Sequence, residues 1–308
     1  MRVVVLGSCL GGLGLVAAVM IAAGCRPAGS VPGANPTKGV STVSGTGGQG
    51  VEPSGTPSSV AMFVDRAVES GIDFRYRNGQ EAGVYSIVES LGGGIGLLDW
   101  DRDGDLDLFL PGGGRFGTNE TIAGHRSGVF LNRGDWSFAD AGSEAGTSGV
   151  SSLYSHGAAV GDFDSDGFPD VLLTGYGGVV LWWNLGDGTF ENSTIAAGLD
   201  DHEWSSTAAW GDVNQDGHPD LYIAHYVNWS FENHPFCQAK ETGTRDICPP
   251  RQFEPIADTL YVSNGDGSFS DRSVSSGLVQ RGATGKGLGV MMCDIDLDGD
   301  LDIYVCND

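Results

Sequence analysis

From residue 61 onward, short apolar runs alternate with acidic or glycine-rich turns, and no stretch keeps a helical period over a useful length. Four runs interleave Gly and Ala with larger apolar residues (GGGIGLL, HGAAVG, STAAWG, GLGVMMC), and each ends at an acidic loop. Behind each loop comes a run rich in β-branched and aromatic residues (LDLFL, DVLLTG, DLYIAHY, LDIYV). That length and composition predict strands on both sides of every loop. A second unit follows: hairpin-type turns in NRGDWSF from Asn132, NLGDGTF from Asn184 and SNGDGSF from Ser263. It closes with a tail, F-x-[DN] and a glycine eight residues after the phenylalanine, from Phe63 to Gly71, Phe138 to Gly146, Phe190 to Gly198 and Phe269 to Gly277. Loops and tails alternate strictly, so the four phenylalanines are expected as core anchors.

The loops start 63, 50 and 82 residues apart, which suits four short antiparallel strands per unit with an insert between Leu221 and Thr259. An all-β β-propeller of four-stranded blades is the predicted fold, with a stack of parallel β-coils as the alternative. The Gly and Ala ahead of each loop fit the innermost strand of a blade, where neighbouring sheets crowd together.

All four loops share one register, D-x-[DN]-x-D-G-x-x-D: DWDRDGDLD from Asp99, DFDSDGFPD from Asp162, DVNQDGHPD from Asp212 and DIDLDGDLD from Asp294. Around such a tight turn the side chains at positions 1, 3, 5 and 9 can aim oxygens at one point, with the backbone carbonyl of position 7 added. Six or seven oxygens from a flexible loop suit Ca²⁺ better than Mg²⁺, and the lack of sulfur or imidazole disfavours zinc and copper. His218 falls at position 7 of the third loop and reads as a surface side chain. Helical calcium loops carry an acid near position 12, whereas position 12 here is Leu110, Leu173, Ile223 or Val305, all strand residues.

Composition sharpens this reading. The chain holds 40 acids against 16 Lys plus Arg, a formal charge of −24, which argues against nucleic acid as a partner. Seventeen of those acids sit in the four loops, where mutual repulsion needs a counter-charge.

The N-terminus reads as an address. Arg2, an apolar stretch to Ala23 and Ala22-Ala23-Gly24-Cys25 resemble a bacterial signal peptide with a lipobox, Cys25 being the lipidated residue. Ala22 stands where Leu is commoner, so ordinary signal cleavage and an uncleaved anchor are the alternatives. Residues 26–60 contain 23 Gly, Pro, Ser or Thr among 35 and form a flexible linker to the folded part, 61–308. Four cysteines remain there, and Cys237 with Cys248, bracketing a short loop, is the expected disulfide of an oxidising compartment.

The loops with strands on both sides resemble the FG-GAP/VCBS repeats of integrin α-chain propellers and of many bacterial surface proteins. FVDRAVESGIDFRYRNG, then YSIVESLGGGIGLLDWDRDGDLDLFLPGG, then tails of the NLGDGTFENSTIAAGL type are similar to the cartilage-acidic-protein-like group that usually ends in an ASPIC/UnbV domain. The resemblance implies side-chain ligands at Asp99, Asp101, Asp103 and Asp107; Asp162, Asp164, Asp166 and Asp170; Asp212, Asn214, Asp216 and Asp220; and Asp294, Asp296, Asp298 and Asp302. It implies carbonyl donors at Asp105, Phe168, His218 and Asp300, hence up to four Ca²⁺ sites. Asn214 supplies a neutral oxygen, so the third loop should bind most weakly. Such propellers generally have seven blades, so the four units are expected to be part of a larger ring; the alternative is a small ring closed by the Phe63 tail pairing with the last unit.

Two functional readings follow. The first is a Ca²⁺-braced module of the cell envelope, reached through a lipid anchor, that binds a protein or glycan. The second is an extracytoplasmic enzyme acting on polysaccharide, for which Glu89, His156, Trp204 and Lys286, each six to ten residues ahead of a loop, could converge. No nucleophile elbow, HExxH or phosphate loop accompanies them, so the binding reading leads.

Overall fold

The computed structural model describes residues 3–6, 63–147, 153–279 and 285–308. Except for a short strand β1 (Val3–Leu6), the expected signal, Cys25 and the linker lie outside the described residues. In chain order there follow β2 (Gly96–Leu98), β3 (Asp107–Leu110), a small hairpin of β4 (Gly114–Phe116) and β5 (Ile122–Gly124), β6 (Gly128–Asn132) and β7 (Phe138–Asp140). The next sheet has β8 (Tyr154–Gly161), β9 (Asp170–Tyr176), β10 (Gly178–Asn184) and β11 (Phe190–Asn192). Then come β12 (Ser205–Gly211), β13 (Asp220–His225), an inserted pair β14 (Cys237–Gln238) and β15 (Arg245–Asp246), β16 (Thr259–Ser263), β17 (Phe269–Asp271), β18 (Gly287–Cys293) and β19 (Asp302–Asn307).

The chain is all-β, and its strands form four-stranded antiparallel sheets of blade type: β2-β3-β6-β7, β8-β9-β10-β11 and β12-β13-β16-β17. The fourth unit contributes β18 and β19, with β1 parallel along the outer edge of β19, Val3 opposite Ile303. The inner strands β2, β8, β12 and β18 pack side by side in that order, an open series among the described residues. The N-terminal tail does not reach the last unit: Ser70 O accepts from Phe138 N at 2.7 Å and the Phe74 ring meets Phe130, so it lies beside the first blade.

The second strands of the two middle blades, β9 and β13, are buried on both faces, and their alternation sorts side chains between two cores rather than between core and water. On β9, Val171 and Leu173 pack with Leu98, Phe109 and Val129 of the first blade, while Leu172 packs with Leu221, Ile223 and Tyr261 of the third. On β13, Leu221 and Ile223 face back to the second blade, and Tyr222 and Ala224 face Ile303 and Val305 of the fourth. Particular small residues at the inner strands, Gly94 just ahead of β2 and Gly161 at the end of β8, are required by the same crowding. A Cβ on Gly94 would come within 2.7 Å of Gly157 Cα, and one on Gly161 within 2.6 Å of the Trp210 ring.

The tails join successive blades. Ala145 O accepts from Phe190 N at 2.9 Å, and Ala197 O accepts from Phe269 N at 2.8 Å, repeating the Ser70–Phe138 contact. The glycine after each acceptor explains the fixed spacing: Gly71, Gly146 and Gly198 have φ of 83°, 76° and 75°, and a Cβ would press on the next phenylalanine's carbonyl at 2.5, 3.3 and 3.1 Å. Phe190 and Phe269 are core residues as expected, and Phe138 is half-buried. Phe63 departs from the expectation. It is 87 % exposed.

Candidate metal centres at the four acidic loops

The loops join β2 to β3, β8 to β9, β12 to β13 and β18 to β19, so all four lie at the C-terminal ends of the inner strands. Their backbones are copies of one another. Position 4 is left-handed in each, with φ of 60° at Arg102 and 61° at Ser165, Gln215 and Leu297, and the position 6 glycines follow at 94°, 90°, 90° and 95°. Position 1 then caps the turn: Gly104, Gly167, Gly217 and Gly299 donate N–H to Asp99, Asp162, Asp212 and Asp294 at 2.8–3.1 Å.

Positions 1, 3 and 9 converge. Asp99, Asp101 and Asp107; Asp162, Asp164 and Asp170; and Asp294, Asp296 and Asp302 each bring carboxylate oxygens within 4.8 Å of one another. In the third loop Asn214 donates to Asp216 Oδ2 at 2.9 Å, placing an amide where the other loops have a carboxylate. The position 5 carboxylates turn to the backbone instead. Asp103, Asp166, Asp216 and Asp298 each accept the N–H of position 7 (Asp105, Phe168, His218, Asp300) at 2.8–3.0 Å.

Position 9 has a structural duty that sequence reasoning missed. Asp107, Asp170 and Asp220 are buried, and each accepts two backbone N–H groups: one from its own loop and one from the third strand of its blade. The loop donors are Trp100, Phe163 and Val213 at 2.9–3.0 Å, and the strand-end donors are Asn132, Asn184 and Ser263 at 2.8–2.9 Å. Asp302 accepts from Ile295 N in the same way. The available signal was a single aspartate opening an otherwise apolar strand.

Burial raises these carboxyls, and the neighbouring loop carboxylates add to the effect against the two N–H donors. Asp107 is pushed up to about 6 and Asp170 up to about 8, while Asp220 and Asp164 also move upward, again first through burial. The donor set is therefore one that gains from a cation. Asp99 Oδ1 gives the direct test: it is a buried oxygen with no hydrogen-bond partner among the described residues, within the Asp99–Asp101–Asp107 cluster. Hard oxygen donors, one of them unsatisfied, fit a divalent cation of the Ca²⁺ type.

Position 7 side chains lean on the hairpin turn of their own blade. The Phe168 ring lies over Gly186, His218 over Gly265, and Asp105 beside Gly134. His218 is thus half-buried rather than a free surface side chain, because the glycine turn leaves room beneath it. Position 4 reaches across to a neighbouring blade: the Arg102 guanidinium lies 5.0 Å from the Phe168 ring, and Gln215 Nε2 donates to Asp300 Oδ1 at 2.6 Å.

At the other end of the inner strands an aromatic cap forms from Phe116, Tyr154, Tyr176, Trp204, Tyr226 and Trp229. The insert supplies part of it, held by the expected Cys237–Cys248 disulfide and by Arg245, whose guanidinium sits between the Tyr85 and Phe236 rings at 5.5 and 5.4 Å. Cys293 and Cys306 are unpaired, at opposite ends of the β18–β19 hairpin. Of the four residues considered for catalysis, only His156 and Trp204 come together, with ring centroids 5.7 Å apart. Glu89 accepts Ser86 N in a capping box, and Lys286 Nζ donates to Pro250 O.

Blades with one acidic loop per inner hairpin define a propeller-type repeat protein. The FG-GAP-like repeat family matches residues 99–173 and 162–223, so this part of the chain carries FG-GAP-like repeats. It is 28 % identical to cartilage acidic protein 1 of Homo sapiens and 27 % identical to that of Mus musculus, over 214 residues in each case. Those alignments cover 64 % of this chain and 31 % of the relatives, so the chain spans about a third of the length of the curated relatives it matches. A solved structure of an Agrocybe aegerita lectin that recognises non-reducing terminal N-acetylglucosamine aligns over 68 % of this chain and 59 % of its own, at 19 % identity and a TM-score of 0.25, too low to bear on the fold.

Proposed function

We propose that the protein is a calcium-braced binding module of the cell envelope, in which Ca²⁺ holds the acidic loops rigid and the blades present a surface to a protein or glycan. The observation that carries this reading is the repeated convergence of positions 1, 3 and 9, with Asp99 Oδ1 left unsatisfied. Bound Ca²⁺ supplies charge neutralisation and loop stiffening, while the chain's own residues set the geometry: position 6 makes the turn, position 5 ties down position 7, and position 9 fastens the loop to its blade. The proposal includes export through residues 1–25 and lipid anchoring at Cys25; the Cys237–Cys248 disulfide supports the export part, since such bonds persist in oxidising compartments. Calorimetric titration of the calcium-free protein tests it. Uptake of more than one Ca²⁺ is expected, with a melting temperature that rises with calcium as linkage requires; heat-silent titration and an unchanged melting curve would overturn the reading.

A further inference from the structure

At position 4 the four loops share a backbone but not a residue: Arg102, Ser165, Gln215 and Leu297 have φ of 60°, 61°, 61° and 61°. Two of these side chains touch the loop of the following blade. The Arg102 guanidinium lies 5.0 Å from the centre of the Phe168 ring in the second loop, and its Nη1 is 3.5 Å from where a Cβ on Gly167 would stand. Gln215 Nε2 donates to Gly299 O at 3.0 Å and to Asp300 Oδ1 at 2.6 Å in the fourth loop. Ser165 ends at its hydroxyl, and among the described residues nothing lies within 4 Å of a Cβ built on Gly217 in the third loop. Positions 6 and 7 are thus contacted by the preceding loop at the second and fourth sites, and Gly217 at the third has no such neighbour.

Phe168 is the residue on which this matters most. Its N–H donates to Asp166 Oδ1 at 2.8 Å, and its ring covers Gly186 of the hairpin turn so closely that a Cβ there would come within 2.7 Å. Arg102 adds a further hold on the ring, a flat cation stacked on an aromatic face. The Phe168 carbonyl is the position 7 oxygen that the calcium reading calls for. An oxygen already fixed in place costs less ordering when an ion engages it. The positive charge works the other way by repelling the ion, but Arg102 is exposed and salt screens it.

We infer that Arg102 is a positioning residue for the second calcium site although it belongs to the first loop: it holds Phe168, and with it the position 7 carbonyl, ready for the ion of the neighbouring blade. The third loop, with the short Ser165 before it and Asn214 within it, is then doubly disadvantaged. Such tuning rests on the calcium reading of the loops and goes beyond it in making a residue of one loop act on the next.

The N–H of each position 6 glycine donates to the position 1 aspartate, so the amide resonances of Gly104, Gly167, Gly217 and Gly299 report the four loops separately. The test is a calcium titration of the full chain with isotope-labelled glycine, followed by NMR in about 1 M KCl, where the screening length falls to about 3 Å. In Arg102→Ala the Gly167 midpoint should rise about two- to fivefold, the range an exposed cation–π contact spans, while Gly104, in the substituted loop, keeps its midpoint. Ser165→Ala should leave Gly217 where it is. Phe168→Leu removes the ring, and in that background Arg102→Ala should add nothing. Without calcium, Arg102→Ala should speed hydrogen exchange at the Phe168 amide about twofold and leave the Asp105 amide, its counterpart in the first loop, unchanged. An unmoved Gly167, a common shift of Gly104 and Gly167, or an Arg102→Ala effect that survives Phe168→Leu would each overturn the assignment. Glycine amides that ignore calcium altogether would remove the calcium reading and the second-site role with it; a calcium response at Gly167 that ignores Arg102 would remove the role alone.

Discussion

The two ends of the inner strands solve the same packing problem with opposite chemistry. At the loop end, four near-identical acidic turns are ordered by hydrogen bonds within each turn and by one buried aspartate per blade. At the cap end, aromatic rings from distant segments stack around Trp204; only the pairs Tyr154–Tyr176 and Trp204–Tyr226 occupy equivalent places in successive blades, and the rest comes from the hairpin β4–β5 and the insert. The loop end is periodic throughout, with carboxylate clusters that could hold a cation; the cap end is periodic only in part and is held by burial and a disulfide. Stability should therefore respond to calcium at one end and ignore it at the other.

The largest expected effect is at the cap. Trp204 is 2 % exposed and touches His156, Tyr176 and Tyr226, so Trp204→Ala should cost about 3–5 kcal/mol by urea denaturation. The loss should be the same in calcium and in EDTA. A calcium-dependent loss would break the division between the two ends. Next comes Asp170→Ala, which leaves the N–H groups of Phe163 and Asn184 unpaired. At about 1.5 kcal/mol for each orphaned donor, the calcium-free protein should lose about 3 kcal/mol. The loss should grow in calcium, because a proposed ligand goes with it.

What was legible in the chain follows the same division. The strands, the shared loop register, the tail spacing and the crowding of inner-strand glycines could be read because each repeats, and each repeat is a separate witness to one geometry. Position 4 could not: Arg102, Ser165, Gln215 and Leu297 have no residue type in common, and their left-handed backbone is imposed by the turn around them. The dual role of Asp107, Asp170 and Asp220 was hidden because their second donors, Asn132, Asn184 and Ser263, lie 25, 14 and 43 residues away. The cap was invisible for a related reason. Tyr76, Tyr154 and Trp229 meet only after the blades have packed and the insert has folded over them, and no local pattern marks them as partners. Phe63 failed in the other direction, since its motif is intact and yet its ring is exposed.

A smaller effect concerns the buried pair near the cap, where His225 Nε2 lies 2.9 Å from Asp201 Oδ2 with both side chains 1 % exposed. Burial opposes the imidazolium, but the Asp201 hydrogen bond and charge outweigh it and the net shift of His225 is upward; burial likewise opposes the Asp201 carboxylate, and the same partner takes it below its usual range. The His225 contribution is complete below about pH 6.5 and is lost as pH rises through its higher folded value. The Asp201 contribution is complete above about pH 4 and is lost as pH falls through its lower one. Asp258, raised by burial and facing His225 N, adds a fall in stability toward high pH. Denaturation midpoints in saturating calcium should therefore peak between about pH 4 and 6.5, and Asp201→Asn should flatten the peak. A profile unchanged by that substitution would remove the pair from the account.

The smallest expected effect tests whether the loops act alone. Gln215 reaches from the third loop to Gly299 O at 3.0 Å and Asp300 Oδ1 at 2.6 Å in the fourth, so the carbonyl-bearing residue of one proposed site is held by a neighbour. These are exposed contacts, and such a link is worth less than about 1 kcal/mol. Gln215→Ala should leave the melting temperature in EDTA within error and weaken calcium uptake at the fourth loop about twofold, a shift of about 0.4 kcal/mol. Asn214→Asp in the same loop should act oppositely, restoring a carboxylate at position 3 and tightening the third site. If Gln215→Ala changes the third and fourth sites equally, the loops are one coupled cation-binding rim rather than four independent turns, and the contrast with the cap becomes sharper still.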